Sequence, residues 1–509
     1  MEEAKQKRSG VSTTLDRLTF GTQEDADRDF TLTRKQRRIL PEGIRKRELY
    51  KDVLMIAGPS LAEMLLSSLV RIIDQMMVGT LGPEAISAVG LVVQPTFLLQ
   101  SIVMSLNTGA TAIIARARGA DDRDRANSVL RQALVIGTLI GIFCTLLGTF
   151  GSRFMVTFMA GGNISPDIVE QGISYFRIQS LTFLIPSWSF CITAALRGTG
   201  NSKPCMVYNI VANLVNIVMN ALLINGLWIF PKWGVSGAAI ATAIGQAVGT
   251  AMAFRCVING KYYLKLKITL KNVFEFDRDA VKGMMNVGLP AMIEQMFMRV
   301  GLIIYSRTVA GLGDIDFATH NICLSAQTMT IMNGQAFAVS ATSLIGQSLG
   351  KKRLDMAEHY GRYCRQAAQV ISLVIAVVFL LFPDQILGMF LSAPDSGMTA
   401  AEAAQRLLDN QRVLETGKKV MFLLAFMQPI QCSQFVVGGI LRGAGDTKVT
   451  ATIILFTTVF FRTVLAYLFV TVFGWGLLGA WMAHLSDQAV RTGLFFWRLN
   501  QGNWKRIKL

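Results

Sequence analysis

Leu196-Arg197-Gly198-Thr199-Gly200-Asn201-Ser202-Lys203 returns 245 residues later as Leu441-Arg442-Gly443-Ala444-Gly445-Asp446-Thr447-Lys448. The return is not isolated. Upstream, Pro59 and Glu63 recur as Pro290 and Glu294, 231 residues on, and Leu81-Gly82 recurs as Leu312-Gly313 at the same offset. Gly119 recurs as Gly350, each closing a small-residue stretch ahead of a basic loop. Downstream, Gly234 and Gly237-Ala238 recur as Gly476 and Gly479-Ala480. The longer offset falls after the polar stretch 393–412, which reads as an outer insertion in the second half. A chain that repeats itself once over this length is built from two copies of one structural unit.

Each unit is a membrane unit. The 509 residues are 52% hydrophobic and only 16% charged, with a mean hydropathy of +0.43; soluble domains carry about 25% charged residues. Runs of about 20 apolar residues, the length a spanning helix needs, occur near 52–78, 85–115, 126–150, 168–195, 204–226 and 235–258. They occur again near 280–310, 316–347, 357–382, 413–440, 449–473 and 476–498. The expected fold class is an all-α polytopic membrane protein with twelve transmembrane helices in two pseudo-symmetric six-helix lobes. An even number of spans per repeat keeps both halves in one orientation, related by an axis along the membrane normal. The corresponding segments are a basic tail at 1–50, a first lobe at 51–260, a linker at 261–279, a second lobe at 280–500 and a short tail at 501–509. Residues 1–50 have no apolar core and so no cleavable signal; they are expected as a partly disordered cytoplasmic tail.

The net charge of +17 follows the topology. Arg116, Arg118, Arg123, Arg125 and Arg131 crowd one loop, and Lys351, Lys352, Arg353, Arg362 and Arg365 crowd another on the same side. With that side and both termini in the cytoplasm the distribution obeys the positive-inside rule. Basic residues facing a lipid leaflet need no nucleic acid, and none is expected as a partner. The expected partner is the lipid bilayer, with the chain a monomer. Seven cysteines without CxxC spacing and three histidines support neither a disulfide framework nor a zinc site. No GxxxxGK[ST] segment occurs, so nucleotide use is not expected, and no cluster on the helices supports an enzyme.

A charged group at the bilayer centre costs at least about 2.5–3.5 kcal/mol and marks function by default. The first span carries Glu63, Arg71 and Asp74. Glu63 and Asp74 are 11 residues apart and share a face, roughly 16 Å apart along the axis. Arg71 lies one turn from Asp74, where it would pair with it. The fifth span carries Asn209, Asn213, Asn216 and Asn220 at spacings of 4, 3 and 4, one narrow stripe that should face the lobe interior. Their amide oxygens, with Asp74, form a candidate site for a proton or a hard cation such as Na⁺; interhelical hydrogen bonding is the plainer role. Second-lobe candidates are Glu294, His320 and Asp487. Asp487 is spaced to pair with Arg491. The arginines of the two LRGxG segments read as caps for helix carbonyls or contacts to lipid headgroups.

Three stretches give the chain a family resemblance. Ile73-Asp74-Gln75-Met76-Met77-Val78-Gly79-Thr80-Leu81-Gly82, the paired LRGxG segments and Gly234-Val235-Ser236-Gly237-Ala238-Ala239-Ile240-Ala241-Thr242 together resemble the multidrug and toxic compound extrusion (MATE) transporters over about residues 50–500. The resemblance implies a secondary antiporter of the plasma (inner) membrane that exports amphipathic, often cationic compounds in exchange for Na⁺ or H⁺, with no other cofactor. It implies that Asp74 is the first-lobe acid binding the coupling ion. It also implies that Asn216 and Asn220 occupy the positions of an asparagine and an acidic residue completing that site. Here the second is an amide, a departure that weakens a purely proton-driven version. Glu294 falls where members often carry an essential acid. The alternative within the wider superfamily is a lipid-linked oligosaccharide flippase.

Overall fold

The computed structural model describes residues 13–22, 36, 39–160, 164–226, 231–260, 262–266, 277–391 and 400–507. Its first half holds α1 (Lys46–Gly79), α2 (Pro83–Gly119), α3 (Arg123–Ala160), α4 (Pro166–Leu181), α5 (Leu184–Gly198), α6 (Ser202–Asn225) and α7 (Gly234–Ile258). The second holds α8 (Arg278–Ala310), α9 (Asp314–Gly350), α10 (Leu354–Leu381), the short α11 (Pro383–Gly388), α12 (Ala400–Ala444), α13 (Thr447–Val472) and α14 (Gly476–Gln501). Nine of the described helices are long and apolar enough to span a bilayer, and ten if α4 and α5, bent by 52° against each other, form one span. The other two, α9 and α14, are 37 and 26 residues long, and their apolar character is diluted by buried groups such as His320, Gln327 and Asn333, or His484, Asp487 and Arg491. The chain is an all-helical, multi-pass membrane protein with twelve spans in two lobes.

The repeat sets the helix ends. Gly82 and Gly313, 231 residues apart, cap the starts of α2 and α9 with φ of +114° and +109°, a left-side conformation open to glycine at little cost. Pro59 and Pro290 sit inside α1 and α8. One expectation needs correction. The span placed at 168–195 is broken at Thr182 and Phe183. From Ala400 the polar stretch 393–412 is helical, the first part of a 45-residue α12. Residues 392–399, and most of the linker expected at 261–279, lie outside the described residues.

Four buried cores show how the lobes meet. Away from the chain termini, Val92, Leu99, Phe176 and Ile224 belong to a core of first-lobe residues, and Tyr305, Phe379, Leu424 and Trp481 to a core of second-lobe residues. At the end that carries the termini and the basic loops, the cores mix. Leu49, Val53 and Ile56 of α1 join Leu344, Tyr360 and Val437, while Ala280 and Met284 of α8 join Ile113, Leu130 and Leu196. There the repeat-related Gly119 and Gly350 cross. A Cβ on Gly119 would meet the Gln347 carbonyl, and one on Gly350 the Arg116 carbonyl.

Residues from the tails lie across this closed end. Thr14 donates its backbone N–H to Asp52 Oδ2 at 2.8 Å, Arg118 pairs with Asp16 at 3.1 Å, and Lys351 Nζ donates to the Leu15 carbonyl at 2.6 Å. Leu15 is buried. At the other terminus Arg116 Nη1 donates to the Ile507 carbonyl at 2.8 Å, and Lys505 pairs with Glu358 at 2.5 Å. Part of the expected tail 1–50 is therefore ordered against the bundle. Asp277, the cap of α8, accepts from Ser128 Oγ of the first lobe at 2.6 Å. That hydroxyl and the Ala280 N–H hold its carboxyl below the usual range.

Overpacking the glycine crossing should cost about 1–3 kcal/mol. Gly119→Leu or Gly350→Leu is expected to lengthen distances between spin labels on α3 and α10 near the basic end, read by pulsed electron resonance, and to leave distances within each lobe unchanged.

Candidate functional site

All four asparagines of α6 turn toward the interior of the first lobe, three of them onto α1. Asn209 Nδ2 donates to Glu63 Oε1 at 2.8 Å, Asn213 Nδ2 to Ser67 Oγ at 3.1 Å, and Asn220 Nδ2 to Asp74 Oδ1 at 2.7 Å. Each pair is separated by 146 residues. A constant separation over three turns means that α1 and α6 run parallel in fixed register, so the polar row is a zipper along one seam.

At the end of the seam farther from the basic loops, Asp74 is half-buried and Asn216 and Asn220 are buried. The Asn216 amide lies between Asp74 and Thr242 of α7. With its nitrogen toward Asp74 it donates to Oδ1 at 2.9 Å and Oδ2 at 3.1 Å, and its oxygen accepts from Thr242 Oγ1 at 3.2 Å. With its oxygen toward Asp74, the amide nitrogen donates to Thr242 Oγ1, and oxygen meets oxygen at the carboxylate. That orientation is stable only when a proton or cation sits between them. Asn220 Oδ1 is buried without a partner. The carboxylate, two amides and a hydroxyl offer oxygen ligands of the kind a hard monovalent cation takes. Beside them a cavity of about 30 Å³, lined by Thr96, Gln100, Gln179 and Thr242 among others, has room for one water.

The neighbouring candidates separate from this site. Arg71 is exposed and forms no ion pair with Asp74; its Nη2 donates to Ser68 Oγ at 2.9 Å. Its helical spacing suits pairing, but Asp74 is turned toward α6. Glu63 is held by Arg197 at 2.9 Å and by Asn209, so it is compensated away from the Asp74 site. Glu294 is held in the same way by Arg442 at 3.1 Å. The arginines of the LRGxG segments are thus neither simple caps nor headgroup contacts: each neutralises the glutamate that repeats with it. The signal was in the sequence, since glutamate and arginine recur as a set, but 134 and 148 residues separate the partners. Thr242, which closes the glycine-rich stretch beginning at Gly234, is the site residue that sequence reasoning missed, because nothing in the sequence shows that α7 packs against Asn216.

In the second lobe, Asp487 pairs with Arg491 at 2.5 Å, and Arg491 also donates to Thr457 and Thr458. His320 is fully buried with no hydrogen-bond partner on either ring nitrogen. Glu294, His320 and Asp487 do not converge on one another as a second copy of the Asp74 site.

Known proteins share this architecture. The MatE family matches residues 59–222 and 290–468, two blocks that begin at the repeated Pro59 and Pro290. The chain belongs to the MatE family. A Thermotoga maritima protein named "Probable multidrug resistance protein NorM" is 25% identical, over 90% of this chain and 94% of its own. "Multidrug resistance protein PmpM" of Pseudomonas aeruginosa is also 25% identical, over 82% and 83%. Among solved structures, one described as the outward-facing conformation of a multidrug resistance MATE family transporter superposes with a TM-score of 0.78 at 21% identity, over 90% of this chain and 97% of that one. A structure of MATE in the bent conformation gives a TM-score of 0.79 at 21% identity, over 90% and 96%. This MatE protein is a transporter, not an enzyme.

Removing one partner of the Glu63–Arg197 pair should cost about 3 kcal/mol, because it strands a charge in a low-dielectric lobe. Glu63→Gln is expected to lower the unfolding midpoint, and Glu63→Gln with Arg197→Met to recover most of that loss. A double-mutant cycle in detergent reads the coupling.

Proposed function

We propose that this transporter exports amphipathic, cationic organic compounds across the plasma membrane in exchange for Na⁺ or H⁺, by alternating access of its two lobes. The observation that carries the reading is Asp74 in contact with Asn220 and Asn216 on the interior seam of the first lobe. The relatives named for multidrug resistance support the substrate class. Both termini and the basic loops are cytoplasmic by the positive-inside rule, which makes the closed end the cytoplasmic end and the conformation outward-facing. The transporter works as a monomer, since each first lobe carries its own Asp74, Asn216, Asn220 and Thr242.

The geometry supports a route for coupling. Without an ion, the Asn216 amide turns its nitrogen to Asp74, and donors from α6 and α7 hold the carboxylate. A proton on Asp74, or Na⁺ beside it, reverses the preferred amide orientation and shifts hydrogen bonds between α1, α6 and α7. An ion that binds one arrangement more tightly biases the lobes toward it. The hydrogen-bond partners of Asp74 are neutral and Arg71, one turn away, forms no ion pair with it, so an arriving cation meets a carboxylate that no guanidinium holds. The amide at 220 favours Na⁺, since the site has one carboxylate rather than two.

Vesicles loaded with ethidium test the reading under separate Na⁺ and H⁺ gradients. Asp74→Asn should reduce gradient-driven efflux at least about tenfold, the scale of losing one charged hydrogen-bonded partner. Unchanged coupled efflux in that variant removes Asp74 from the mechanism. Lipid scrambling without dye efflux would favour a flippase. Asn220→Asp places a second carboxylate against Asp74, and two carboxylates sharing a site hold a proton more tightly. That variant should retain efflux under an H⁺ gradient and become more strongly pH-dependent, losing rate as rising pH removes the shared proton.

A further inference from the structure

We infer that the second lobe carries a small-anion site, centred on Arg462, at the position where the first lobe carries Asp74. The repeat fixes the correspondence. α8 follows α1 by 231 residues and α14 follows α7 by 242, so Tyr305 stands in the place of Asp74 and His484 in the place of Thr242. The helix facing them, α13, supplies Arg462 from a π-helical stretch at Thr458–Val464, a local geometry frequent at functional sites.

These side chains form a cage. Arg462 Nη2 donates to His484 Nε2 at 3.0 Å, and the guanidinium lies 5.3 Å from the centre of the Tyr305 ring. His320 and Trp481 complete it, with ring centres 5.5 Å (Tyr305 to His320), 5.4 Å (His320 to Trp481) and 5.5 Å (Trp481 to His484) apart. All five residues are buried.

Charge and hydrogen bonding point to the same ligand. In the second lobe Arg462 and Arg491 are buried and Arg442 is half-buried. Glu294 is taken by Arg442 and Asp487 by Arg491. No carboxylate among the described residues is within ion-pair distance of Arg462. Its partner His484 Nε2 also faces Gln488 Nε2 at 3.2 Å, so that nitrogen accepts and carries no compensating charge. Arg462 Nε, Trp481 Nε1 and Tyr305 Oη are buried donors without a partner, and neither nitrogen of His320 has one. Water would satisfy donors and leave the charge; a monovalent anion, chloride or a carboxylate, answers both. The inference does not need Asp74 to bind the coupling ion.

The test uses the full chain in detergent, with Na⁺ and pH held constant and only the anion changed among gluconate, chloride, bromide and acetate at one ionic strength. Chloride is expected to raise the unfolding midpoint saturably, by roughly 2–5 °C over gluconate, and Arg462→Met to abolish the shift. Bromide, which quenches indole emission, is expected to give a saturable quenching component that Trp481→Phe removes; this reading stands if Arg462→Met does not fold. A shift with acetate and none with chloride or bromide supports a carboxylate ligand; a shift with the halides alone supports an inorganic anion. Equal midpoints in all four salts overturn the site, as does a saturable shift that survives in Arg462→Met. Because Na⁺ is constant throughout, neither result depends on the coupling reaction.

Discussion

A carboxylate inside a membrane bundle must be met by donors, and the kind of donor decides what it can do. Glu63, Glu294 and Asp487 are each met by a guanidinium from their own lobe. Their charge is cancelled permanently, so they hold helices together and have little reason to exchange an ion. Asp74 is met by amides alone. Amides satisfy its hydrogen bonds without cancelling its charge, and the proposed cation site rests on that. That difference, rather than depth or acidity, singles out one acid among four.

The same interactions set the mechanics. The zipper from Glu63–Asn209 to Asp74–Asn220 locks α1 and α6 in register, so a change at Asp74 is carried along a stiff seam toward Arg197, at the end of α5. That end adjoins the closed face, where Gln347 Nε2 of the second lobe donates to the Gly198 carbonyl at 3.2 Å. Contact between the lobes combines close backbone approaches at Gly119 and Gly350 with mixed apolar cores around Ile56 and Tyr360 and around Met284 and Leu130, and the tails lie across it. Opening this end uncovers those apolar side chains, a cost that rocking of two rigid bodies must meet.

Much of this was legible from local pattern. The duplication, the twelve spans, the interior stripe on α6 and the Asp487–Arg491 pair follow from spacing alone, because helical periodicity and bilayer thickness leave few options. What was not legible required knowing which helices touch. Arg71 has the right spacing for Asp74, yet the carboxylate turns to α6 and the guanidinium stays exposed on Ser68. The glutamate–arginine pairs join segments more than a hundred residues apart. The break before α5 has no glycine or proline at Thr182 and Phe183; the nearest proline, Pro186, lies inside the next helix.

The two lobes share helices, caps and glutamate–arginine pairs, and they differ where the first lobe gathers oxygen ligands. Tyr305 and His484 replace Asp74 and Thr242, and no asparagine row follows on α13. Duplication would supply two identical ion sites, whose simultaneous loading would move both lobes alike. Replacing one set with aromatic rings and a buried guanidinium breaks that equivalence. The first lobe then offers oxygen ligands to a cation where the second places a buried guanidinium. On the proposed coupling, the cation binds in the first lobe and the second is the frame against which it moves.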